Sequence, residues 1–297
     1  MKFSLTSEFR EKLKLEIYNS NFEFVKNVFK DISYVDITEL LYEFDSKESK
    51  YILDNINSEK SAQIISELDQ DTREKFLKIY SNKEIASYLE FIDSDDGADI
   101  LSELDEEDKV DVILNISDKQ KSKDLKDLLK YDDEVAGGLM AKELVKCNIN
   151  WKISQCINLI KKQAEKVSMI YSVYVTDDKG KLLGKVSLKD IILAKDNSQI
   201  KDVYDDYIIS VNVKMNQEDV AQIMQKYDLT VLPVVNKRGK LVGRITIDDV
   251  VDVITETAEE ERQIMSGITT DVEEDDSIWK LSNARLPWLV IGILGGL

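Results

Sequence analysis

The chain has 297 residues, 58 acidic against 40 basic, and a net charge of −18. An acidic chain is a poor match for a phosphate backbone, so nucleic acid is excluded as a partner and a metal cation is favoured. There are no histidines, which removes His-based acid–base catalysis and imidazole zinc sites. No nucleophile–base constellation is visible either, so the chain reads as a non-enzyme.

The length predicts more than one domain. Residues 40 to 128 carry a repeat of two adjacent apolar residues followed by a third. It runs Leu40, Leu41, Phe44; Ile52, Leu53, Ile56; Ile64, Ile65, Leu68; Phe76, Leu77, Tyr80; and on through Tyr88, Leu89, Ile92, Ile100, Leu101, Leu104, Val112, Ile113 and Ile116. Each step is twelve residues. Capping residue types follow each unit: Asp45, Asn57, Asp69, Ser81, Asp93, Asp105 and Ser117. Glu48, Glu84 and Gln120 stand three residues further on, as a capping box requires. In one continuous helix, twelve residues would rotate the apolar patch by about 120° per unit. Short helices restarting at each cap keep every patch on one core. The expectation is an all-α superhelix over 1–130.

After residue 140 the pattern changes. SVYVTDDKGKLLGKVSLKDIILA (172–194) and VLPVVNKRGKLVGRITIDDVVDV (231–253) align at an offset of 59. Each copy predicts strand, Asx–Gly turn, strand, and a helix begun by Ser or Thr with Asp three later. Cys147 and Cys156 match no metal-ligand spacing and read as reduced core residues. The expected fold class is multidomain: the superhelix, then an α/β tandem pair over 131–255, then a connecting and amphipathic helix over 256–286. Residues 286–297 read LPWLVIGILGGL, apolar and glycine-rich, about half the length of a bilayer-spanning helix that is expected to start at 287–297. The expectation is the start of a transmembrane helix, with Lys280 and Arg285 before it and residues 1–286 on the cytoplasmic side.

The doubled motif LPVV-x(4)-G-x-L-x-G-x-h-T-x-x-D resembles a CBS-domain pair. That resemblance implies an adenosyl-ribose site at Ser187, Asp190, Thr246 and Asp249; the competing expectation is that these residues only cap helices. Ser172 and Leu229, near where a base would stack, are not aromatic. The junction YDDEVAGGLM (131–140) and the ending RLPWLVIGILGG resemble the MgtE family of magnesium channels, over essentially the whole chain. The resemblance implies a cell-membrane homodimer, associating through the CBS pair, whose cytosolic part senses Mg2+.

Two acid stripes fit a hard cation that keeps most of its water. Asp95 and Asp99 share a helix face, and Asp249, Asp252, Glu256 and Glu260 form a stripe at spacings of three and four. The family resemblance adds Glu218, Asp228 and Glu261 to the expected metal-binding set, and places one of its acidic positions on Thr257. In the expected mechanism, bridging Mg2+ holds the helical domain, the CBS pair and the connecting helix together, and the segment near Ser277 to Leu286 then shuts a pore. The alternative is a CBS module that reads ATP or another adenine nucleotide, with no metal sensing.

Overall fold

The structure is a computed structural model describing residues 6–164, 169–170, 172–195, 197–251, 253–255, 258 and 286. The chain opens with α1 (Ser7–Tyr18) and α2 (Phe22–Val28). The repeat then produces α3 (Tyr34–Leu41), α4 (Ser46–Asp54), α5 (Ser58–Ser66), α6 (Gln70–Leu77), α7 (Asn82–Leu89), α8 (Ser94–Ser102), α9 (Glu106–Asn115) and α10 (Lys119–Leu128). The starts of α3 to α9 fall twelve residues apart. Alternate helices pack on one another: α3 on α5, α5 on α7, α7 on α9, and α8 on α10. The paired apolar residues, Leu40 and Leu41, Ile52 and Leu53, Ile100 and Leu101, are buried in a common core.

Most of the expected caps form. Asp45 and Ser81 make full capping boxes with Glu48 and Glu84, and Asn57 and Asp69 cap α5 and α6. Asp93 and Asp105 stand at the N-caps of α8 and α9 without a side-chain cap bond, and the last unit departs further. Asp118, not Ser117, caps α10 by accepting from Gln120 N and Lys121 N. The amide of Ser117 instead donates to Glu90 Oε1 at 2.6 Å. The helix therefore starts one residue late, and the box expected from Gln120 does not form.

The second half contains two similar units. The first has β1 (Val145–Asn148), α11 (Ile153–Ala164), β2 (Val173–Thr176), β3 (Leu182–Val186) and α12 (Leu188–Leu193). A 3₁₀ turn at Ile200–Asp202 leads to the second unit: β4 (Val211–Asn212), α13 (Gln217–Tyr227), β5 (Val231–Val235) and β6 (Leu241–Thr246). Residues 247–251 and 253–255 continue it as helix. In each sheet the first two strands are parallel and the last two antiparallel. The hairpin turns need left-handed backbone, which Gly180 (φ 78°) and Gly239 (φ 71°) supply. The two hairpins also bond each other: Leu182 N donates to Gly239 O at 3.0 Å and Leu241 N to Gly180 O at 3.1 Å.

The linker between the halves is pinned along the second unit. Ala136 N and Gly137 N donate to Met215 O and Val213 O, and Gln217 N donates to Glu134 O. Ala141 then pairs antiparallel with Arg244 of β6. This approach requires Gly243, because a Cβ there would lie 2.8 Å from Ala141 O and 2.7 Å from Met140 Sδ. The buried apolar residues divide accordingly. One cluster runs through the helical array, the linker residues Ala136 and Met140, and the second unit as far as Val250. The first unit has a separate core built on Val145, Ile153, Cys156, Val173 and Val186.

Candidate functional site: carboxylates where the helical array meets the second α/β unit

The N-terminal turn of α8 carries Asp93, Ser94, Asp95 and Asp96, with Asp99 one turn on. It faces the start of the helix at 247, and Asp249 is the counterpart there. Asp95 is buried, at 8% exposure. Burial raises its carboxyl well above the ordinary range, and the charges of Asp249, Asp96, Asp93 and Glu143 push in the same direction. Asp96 is raised to about 7 by desolvation, then by Asp249, Asp93, Asp99 and Glu67. Asp99 keeps an exposed edge, yet desolvation of its carboxyl by the surrounding chain raises it to about 6, with Asp133 and Asp249 adding and Arg73 opposing. Asp249 is also raised to about 6, mainly by burial. The carboxylates here disfavour one another's ionisation, as like charges in partial burial do.

Asp249 has a second task. Its Oδ2 accepts from Thr246 N at 2.9 Å and from Thr246 Oγ1 at 2.6 Å. Ser187 and Asp190 make the corresponding pair, Oγ to Oδ2 at 2.5 Å, and Ser187 caps α12. Ser187 thus starts α12, and Asp249 bonds back to Thr246 at the start of the helix from 247 while lying close to the acids of α8. Glu218 lies in the first turn of α13 and Asp228 at its C-cap in left-handed backbone (φ 52°), both exposed. Asp252, Glu256, Glu260 and Glu261 lie outside the described residues, as do Thr257 and the stretch near Ser277 apart from Leu286. Among the described residues, no three acidic side chains converge into a ready-made metal cage. Nor is any helix among them long and apolar enough to cross a membrane.

Asp96, Asp93, Asp133 and Glu143 belong to this region and were not singled out from the sequence as site residues. Asp93 had the signal of a cap, and Asp133 lay inside the YDDEVAGGLM string without a charge partner in view.

Residues 32–134 match the model of the MgtE intracellular N domain, and residues 135–197 and 200–256 match that of the CBS domain. A solved structure, the cytosolic domain of the Mg2+ channel MgtE in complex with ATP, superposes with a TM-score of 0.71 at 30% identity, covering 76% of this chain and 92% of that one. The chain belongs to the MgtE family. The soluble part of a magnesium transporter superposes with a TM-score of 0.74 at 28% identity, covering 84% and 97% of the two chains. The magnesium transporter MgtE of Enterococcus faecalis is 37% identical over 172 residues, 58% of this chain and 38% of that protein. The MgtE of Thermus thermophilus is 34% identical over 185 residues, 62% and 41% respectively. The chain thus spans about two fifths of these relatives. The family fold accounts for both halves: the helical MgtE N domain, then a CBS pair whose repeats are the two α/β units.

Proposed function

We propose that the chain is the cytosolic Mg2+-sensing and gating region of an MgtE-type magnesium transporter. The carrying observation is the placement of Asp95, Asp96 and Asp99 on α8 close enough to Asp249 that, beyond the effect of burial, its charge adds to the elevation of all three across the boundary between the N domain and the second CBS repeat. A divalent cation there would reverse the sign of that interaction. Magnesium suits an open set of carboxylates, since it retains several waters and binds through one or two carboxylates directly. Asp252, Glu256, Glu260 and Glu261, which follow Asp249 in sequence, would extend the set. An ion favours a conformation only by binding it better than the alternative. Here that conformation is the one with α8 close to the helix from 247, which leads toward the membrane segment proposed for 287–297. We assign this as the closed state.

The homodimer through the CBS pair is supported by apolar side chains left on the outer helices. Ile192 and Leu193 of α12 are 77% and 73% exposed, and Val251 and Ile254 on the helix from 247 are 50% and 43% exposed. Exposed apolar groups collected on two like-positioned helices fit an isologous contact.

A second reading rests on the ATP complex of the relative. A small recess is lined by Val145, Ser172, Tyr174 and Arg244. The buried Tyr174 hydroxyl has no hydrogen-bond partner among the described residues. Separate titration calorimetry with Mg2+ and with ATP divides the two readings. Heat with Mg2+ alone supports sensing; heat with ATP alone supports the nucleotide module.

A further inference from the structure

Both cysteines of the chain lie in the first CBS repeat, and the local structure sets them against each other. β1 alternates, so Val145 and Cys147 are buried while Lys146 between them is exposed. A tight connection follows, in which Asn150 N donates to Asn148 Oδ1 at 2.9 Å and Trp151 N to Asn148 O at 3.0 Å. Ile153 N to Ser198 O and Ile200 N to Trp151 O, both at 2.9 Å, pin its far side. α11 then packs on β1, with Ile153 and Cys156 three apart on its buried face. Both thiols are free, at 2% and 0% exposure, in one apolar cluster with Val173, Val175 and Val186. The Cys147 thiol donates to Cys156. That bond holds the Cys156 thiol below its ordinary range, against desolvation; it raises Cys147, and burial adds to the rise.

A single buried cysteine is a small hydrophobe. Two within hydrogen-bond reach are also a nucleophile and its resolving partner. We propose that Cys147 and Cys156 are a redox-active dithiol, which a hydroperoxide closes into a disulfide that ties α11 to β1. The Cys156 thiolate attacks one oxygen of hydrogen peroxide; the O–O bond breaks, hydroxide leaves, and Cys156 becomes a sulfenic acid. The Cys147 sulfur then attacks the Cys156 sulfur. The S–O bond breaks, the S–S bond forms, and the oxygen leaves as water with the Cys147 proton. In sum the two thiols give up two electrons and two protons, and the peroxide is reduced to two waters. Hydrogen peroxide is little larger than water, so small local openings admit it to the pair where bulkier disulfides are held off. The cysteines are nine positions apart, so the bond closes a short loop that the connection already orders. β1 also contributes Val145 to the recess shared with Ser172 and Tyr174, so the bond fixes one wall of that recess. In a reducing compartment such a bond is transient, as redox-sensing disulfides are.

The test uses the 297-residue chain, which has no other cysteine. The folded protein is treated with hydrogen peroxide, quenched with catalase, alkylated in guanidinium and mapped by peptide mass. The expected product is a Cys147–Cys156-linked peptide, lighter than the reduced pair by two hydrogens, in a chain that runs as a single polypeptide on a non-reducing denaturing gel. Dithiothreitol restores both thiols. Cys147→Ser, which lacks the resolving thiol, accumulates a sulfenic acid at Cys156 that dimedone traps. Cys156→Ser loses its remaining thiol about tenfold more slowly than the wild type, because the thiolate is the nucleophile. Two alkylatable thiols after treatment of the folded chain, with the bond forming only in urea, overturn the proposal. So does a bond between two chains, or a Cys156→Ser chain that reacts at the wild-type rate. The wild-type map decides the matter even where a serine variant does not fold. None of these readouts involves Mg2+ or ATP, so failure of the sensing reading would leave them as they are.

Discussion

Single residues in this chain carry contrasting charge roles within a few ångströms. Arg73 and Glu103 form a nearly buried pair, with Nη2 to Oε1 at 2.5 Å and Nε to both carboxylate oxygens, while Arg73 Nη1 bonds Ser66 O and Leu68 O. Removing one member of such a pair leaves an uncompensated charge. Arg73→Ala is expected to lower stability by about 3–5 kcal/mol, read by urea unfolding. Glu84 behaves differently because it is half exposed. Hydrogen bonds from the Ser81 hydroxyl and amide, with help from Lys50, hold its carboxyl down at about 2. A depressed folded pKa gives stability that is present above the usual value of 4.5 and lost as pH falls through about 2. Glu84→Gln should therefore lower the melting temperature at neutral pH and flatten its acid decline below about pH 4.5. A variant with the wild-type acid profile would assign that decline to other groups. At the cluster, Asp95→Asn with Asp99→Asn removes two like charges at nearly constant shape. Melting in EDTA should rise, and the gain caused by Mg2+ should largely disappear.

At the scale of elements, the twelve-residue period was readable because each helix carries its own start signal next to its own apolar triplet. The position of the final cap was not. Ser117 and Asp118 both suit an N-cap, and the choice is made by Glu90, a long-range partner that claims the Ser117 amide. Asp118→Ala should cost about 0.5–2 kcal/mol, as cap losses do, whereas Ser117→Ala should cost much less. Equal losses in thermal unfolding would restore Ser117 as the cap. The tandem CBS repeat was legible for a similar reason: its turn glycines and Ser/Thr-x-x-Asp helix starts are local. The candidate site was legible only in part. Asp95, Asp99 and Asp249 could be chosen by helical spacing and family resemblance. Asp96 and Glu143 could not, because their surroundings depend on how α8 docks against a linker 49 residues away from Ser94. Asp93 has the identity of a cap and spends its charge elsewhere, a substitution of roles that no local pattern records.

Over the whole molecule, an excess of 18 negative charges makes any cation response a mixture of screening and binding. Screening follows ionic strength and is matched by a monovalent salt. Binding to the folded state adds about 2.7 kcal/mol at a hundred times the dissociation constant, whatever the ionic strength. Association is a separate whole-molecule property. Ile192→Asp with Val251→Asp should convert the proposed CBS-mediated dimer to monomer in light scattering without lowering helix content; a wild-type chain that is monomeric at high concentration would remove that interface. The central claim is that the acids joining the N domain to the second CBS repeat bind Mg2+. Its most direct measurement is thermal unfolding of the 297-residue chain in MgCl₂ and in NaCl at equal ionic strength, for wild type and for Asp95→Asn with Asp99→Asn. The account predicts a larger rise in MgCl₂ for the wild type and nearly equal rises in the two salts for the variant. Equal rises in both salts for the wild type would contradict it and reduce these carboxylates to surface charge.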